Sequence, residues 1–67
     1  MDLDMLIDKV AEKGMDSYRL SKWLGVDRMA VYRKLAGYEK ITIREAEILK
    51  DILDLTNLEA LEIFLDR

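Results

Sequence analysis

The residues best placed to do chemistry lie in one short stretch, Arg28-Met29-Ala30-Val31-Tyr32-Arg33. Advancing about 100° per residue along a helix sets Arg28, Tyr32, Met29 and Arg33 within one arc of roughly 140°, while Ala30, Val31 and Leu35 fall on the other side. Such a helix anchors itself by small and branched apolar residues and turns two guanidinium groups, a phenol and a thioether outward. Arginine donates two parallel hydrogen bonds to the acceptor edge of guanine, and methionine or tyrosine can contact thymine methyl groups. The set therefore suits base reading in a major groove, each bidentate pair contributing about 1–3 kcal/mol of discrimination. Around it, Ser17, Arg19, Lys22, Lys34, Tyr38 and Lys40 carry hydroxyl and cationic groups expected to contact phosphate, which would fix register rather than sequence.

Other chemistries are poorly served. The chain has no cysteine and no histidine, which removes the commonest general base, the commonest nucleophile and the usual transition-metal ligands. Its fourteen acidic residues spread along helical faces instead of converging from separate segments on one apolar cleft. An enzyme is not expected, nor is any catalytic residue, metal or cofactor.

The elements that must position the outward set are helices. Leu3, Leu6, Ile7 and Val10 recur at i, i+3, i+4 and i+7, predicting an amphipathic helix that ends near Gly14. Asp16 or Ser17 can cap a second, two-turn helix carrying Leu20, Trp23 and Leu24 as far as Gly25. Asp27 caps a third that runs to about Ala36, with Gly37 at its end. Only Gly25-Val26-Asp27 separates the two, and Val26 is apolar inside that turn, so it is expected to plug into the core and set the angle between the helices. Two short helices joined by a three-residue turn containing glycine have the form of a helix-turn-helix, over about residues 16–36. Thr42 with Glu45, and Thr56 with Glu59, make capping-box patterns that open a fourth and a fifth helix. The fifth is apolar on more than one side. Leu58, Leu61, Ile63, Phe64 and Leu65 either close the monomer core or meet a second subunit, and a homodimer through these residues is expected.

The 67 residues predict a single all-α domain over 1–67, near the size at which one core becomes marginal. A composition 51% hydrophobic and 37% charged fits neither a disordered chain nor a membrane protein. The acidic start, Met1-Asp2-Leu3-Asp4, does not read as a signal peptide, and a cytoplasmic location is expected. The net charge of −3 hides an uneven distribution. Residues 17–40 hold Arg19, Lys22, Arg28, Arg33, Lys34 and Lys40 against only Asp27 and Glu39, between two flanks in which acids outnumber bases. A basic middle of this kind can orient an acidic molecule toward a polyanion.

The run S-Y-R-L-S-K-W-L-G-V-D-R-M-A-V-Y-R-K-L-A-G resembles the helix-turn-helix of phage Cro proteins and repressors, the lambda repressor-like family. The matching features are Leu20-Ser21 before Leu24-Gly25-Val26, the small Ala30 followed by Val31, and Leu35 before Gly37. The trailing I-T-I-R-E-A-E-I-L-K-D-I-L-D-L-T resembles that family's fourth helix, so the similarity extends to nearly the whole chain. The resemblance implies a compact five-helix fold in which the start of the second helix and the first, second and sixth positions of the third meet DNA. By position these are Ser17, Arg28, Met29 and Arg33, with Tyr32 beside them. Trp23 departs from the family, standing where many members carry a polar residue, and Met29 is less polar than is usual at its place.

The expected function is a sequence-specific double-stranded DNA-binding regulator of phage or prophage type, acting as a dimer on a partly palindromic operator. The alternative is a protein-interaction module, an antirepressor or phage inhibitor that uses its acidic surface to engage a basic host protein. For each outward residue there is also a plain structural account: Arg28 and Arg33 as a solvated face paired with acids, Tyr32 and Tyr38 as half-buried surface aromatics, Met29 and Trp23 as packing or partner contacts.

Overall fold

The computed structural model describes residues 1–65; Asp66 and Arg67 lie outside them. Five helices follow one another: α1 (Leu3–Glu12), α2 (Ser17–Leu24), α3 (Arg28–Ala36), α4 (Ile43–Ile52) and α5 (Asn57–Phe64), with no strand among the described residues. Each begins where a short polar side chain can accept a hydrogen bond from an N–H of the first turn that has no partner within the helix. Asp2 accepts from Met5 N–H, Asp16 from Arg19 N–H and Asp27 from Ala30 N–H, the last at 2.7 Å. Asp16, not Ser17, is thus the cap of α2. Thr42 with Glu45 and Thr56 with Glu59 complete reciprocal capping boxes at α4 and α5. Gly25 (φ +72°) and Gly37 (φ +87°) end α2 and α3 in the left-handed region, where a Cβ is unfavourable, and this allows the chain to reverse within a few residues.

The core draws on every helix: Leu6 and Val10 from α1, Leu20 and Leu24 from α2, Val31 from α3, Leu49 from α4 with Leu53 just beyond it, and Ile63 from α5. Val26 is half-buried against this cluster, as a plug between α2 and α3 should be. α1 packs on α3 and α5, and α2 on α3 and α4, so α3 is held from beneath by two neighbours.

Polar contacts close the two ends of the chain together. Asp2 N–H donates to the Ile63 carbonyl at 2.7 Å, and Lys9 Nζ lies 2.6 Å from Glu59. The Lys9 ammonium, and then the Thr56 N–H, hold the Glu59 carboxyl at about 2, below its usual 4.5. The carboxyls of Glu39 and Glu45 are also lowered. A carboxylate whose folded pKa is depressed contributes stability that is complete above its unfolded value and disappears as pH falls through its folded one. Resistance to urea should therefore decline from about pH 4.5 to about pH 2. An unfolding midpoint that stays level across this range would contradict these contacts.

Candidate functional site

α3 has two unlike sides. Ala30 and Val31 are buried and Leu35 half-buried, which seats the helix on the core, while Met29 (62% exposed), Tyr32, Arg28 and Arg33 face outward. The four residues expected to read bases therefore share the exposed side of one rigid element whose opposite side is anchored.

Two of the outward groups are tied to neighbouring elements. The Ser17 hydroxyl, at the first position of α2, donates to the Tyr32 hydroxyl at 3.1 Å. That hydrogen bond, followed by the proximity of Arg28, lowers the Tyr32 pKa by favouring the phenolate. Ser17, Arg28 and Tyr32 thus form a polar cluster bridging the starts of α2 and α3. Arg33 is fixed differently, its Nε donating to Glu39 Oε1 at 3.1 Å.

Of the residues expected to contact phosphate, Arg19, Lys22, Tyr38 and Lys40 are exposed, Tyr38 the most at 86%. Lys22 lies over the Tyr18 ring, 5.1 Å from its centre, a geometry that favours a cation. Lys34 departs from expectation. It is only 7% exposed, and its ammonium meets Glu45 Oε1, Glu39 Oε2 and the Lys40 carbonyl, each at 3.0 Å. An ammonium has three donors, and all three are engaged within the chain, so none is left for phosphate. Burial opposes the charge, but the hydrogen bonds that the ammonium donates to Glu45 and Glu39 outweigh it and raise the Lys34 pKa. The same burial would raise Glu45; the Thr42 N–H and the Lys34 ammonium hold it low instead. Helical phase could have revealed this: Lys34 stands four residues after Ala30 and three after Val31, on the anchored side.

The residues expected at a subunit interface also divide. Ile63 is fully buried inside the monomer and cannot meet a partner. Phe64 is half-buried against the core, whereas Leu58, Leu61 and Leu65 are more than half exposed. Leu61, Phe64 and Leu65 line an open, mostly apolar groove of about 580 Å³ between α4 and α5, facing Ile43 and Ala46, with Glu47 and Lys50 also in its wall. Ile43, which sequence reasoning left out, is 80% exposed there. Trp23, on α2, is 60% exposed and does not pack into the core.

The site can thus offer hydrogen-bond donors and apolar surface to an extended acceptor-rich partner. Among the described residues no group of histidine, cysteine or carboxylate side chains could hold a metal ion, and no helix is long and apolar enough to cross a membrane. Comparison of the chain with protein-family models, with curated proteins and with solved structures found no match.

Proposed function

We propose that the protein is a sequence-specific double-stranded DNA-binding transcriptional regulator of the phage Cro and repressor kind, acting in the host cytoplasm. In this reading α2 and α3 are a lambda repressor-like helix-turn-helix and α3 lies in the major groove. The observation that carries it is the exposed set Arg28, Met29, Tyr32 and Arg33 on a helix whose other side is buried. The cationic surplus of residues 17–40 supports it, as do the exposed Arg19, Lys22 and Lys40 near the ends of the two helices.

Amide shifts of isotopically labelled protein, followed while a mixed-sequence duplex is added, test this reading. Changes should concentrate at 17–19 and 27–33; changes confined to other helices, or none at low salt, would overturn it. The exposed Trp23 favours one second reading, a protein-interaction module whose acidic surface engages a basic protein. In that case the labelled protein would ignore the duplex.

The DNA reading calls for two copies. Recognition helices of dimeric readers sit roughly 34 Å apart, one DNA turn, on a partly palindromic site. The chain measures 28 × 23 × 19 Å, so two copies side by side can meet that spacing. The α4–α5 groove suits a second copy because Glu47 and Lys50 occupy the same wall. A two-fold axis can then place the carboxylate of each copy near the ammonium of the other. Leu61→Glu puts a charge into the groove while sparing the buried Ile63. Light scattering should show it as a monomer where the native protein is a dimer, and an unchanged dimer mass would exclude this interface.

A further inference from the structure

We propose that Glu39 is a positioning residue that commits Arg33 to a guanine in the operator half-site. The inference rests on the DNA reading above and names one base which that reading leaves open. A guanidinium presents several N–H edges, and an unrestrained arginine can offer any of them to base or phosphate. Here the Nε edge is occupied, 3.1 Å from Glu39 Oε1. What remains outward is the terminal pair of nitrogens, the edge that matches guanine O6 and N7.

The buttress is itself held. The other oxygen of Glu39 lies 3.0 Å from Lys34 Nζ, and Lys34 is buried and bound to Glu45 at the start of α4 and to the Lys40 carbonyl. A rigid chain of contacts therefore runs from the capping box of α4, through Lys34 and Glu39, to Arg33. Glu39 has a second effect of opposite sign. Its carboxylate, 40% exposed next to the reading face, repels phosphate and weakens binding to every sequence alike. One residue thus lowers general affinity while raising discrimination, a combination that a purely structural role would not produce.

The test compares the native protein with Glu39→Ala, which removes the oxygen that accepts from Arg33 Nε, and both with the same change in an Arg33→Lys background, which keeps the positive charge but lacks the planar fork. The probes are the duplex selected from a random pool, the same duplex altered at the base pair where Arg33→Ala loses its preference, and a mixed-sequence duplex. Glu39→Ala should bind the mixed duplex more tightly and lose about tenfold in discrimination at that base pair. In the Arg33→Lys background it should still strengthen binding to the mixed duplex but leave discrimination unchanged. If the native protein selects a site and Glu39→Ala discriminates as well as it does, the buttress is wrong and the DNA reading stands. If the native protein selects no site, both fail.

Discussion

Replacing Lys34 with alanine is expected to remove a large share of the protein's stability. Removing one partner of a buried ion pair leaves the other charge without compensation and costs about 3–5 kcal/mol. A domain of this length has about 3–10 kcal/mol in total. Glu45 is 4% exposed and sits at the first turn of α4, so it cannot easily turn into water without giving up its bond to Thr42 N–H. Glu39 is nearer the surface and can rehydrate. The double change Lys34→Met with Glu45→Gln removes both charges while Gln keeps an oxygen for the capping box, and it should recover about 2 kcal/mol relative to Lys34→Met alone. Urea unfolding followed by circular dichroism measures all three. A phosphate-contacting surface lysine would behave otherwise, since its loss changes stability by about 0.5 kcal/mol or less. A folded Lys34→Ala protein of near-native stability would therefore contradict the buried placement.

Arg28→Ala with Arg33→Ala should have the reverse profile, an intact fold with operator binding lost. Both side chains are exposed, neither is part of the core, and alanine is the better helix former at each position. The Arg33–Glu39 pair is an exposed one, the kind that contributes little to stability. Each bidentate contact to guanine is worth about 1–3 kcal/mol, so the pair together should weaken binding to the preferred duplex by about 30-fold to about 10⁴-fold. Fluorescence anisotropy with a labelled duplex reads this directly. Binding by the double variant equal to that of the native protein would remove direct reading by α3. Together the two experiments separate the cation that holds the site from the cations that present it.

Much of this was legible in local patterns, and what was missed is non-local. Helix starts could be read because a cap and its N–H partner lie three residues apart, as in Thr42-Ile43-Arg44-Glu45 and Asp27 with Ala30. Helix ends at α2 and α3 followed from Gly25 and Gly37. The inward and outward sides of α3 followed from its period. The charge of Lys34 points to phosphate, whereas its helical phase, with Ala30 and Val31, points to the core. Its partner Glu45 is eleven residues away on another helix, where no short-range pattern reaches. In α5 the sequence is apolar on several sides, and the inward one is chosen by α1. The bridge from Lys9 to Glu59 and the bond from Asp2 N–H to the Ile63 carbonyl bring the side of Glu59 and Ile63 against the core. Leu58, Leu61 and Leu65 are left outside. Similarly, no local rule assigns Ile43 to a groove, because the opposite wall is α5.

α3 presents one exposed side and is seated on the other: Ala30 and Val31 lie below, Lys34 is bound to Glu45 behind, and Ser17 and Glu39 hold Tyr32 and Arg33. On the proposed function, this surface recognises a DNA sequence. Selection from a pool of random duplexes, sequencing of the retained strands and a salt titration of the best one test that most directly. A DNA-reading α3 should enrich a partly palindromic site containing guanine, with affinity that falls steeply as salt rises. A pool that stays unenriched even at low salt would contradict it.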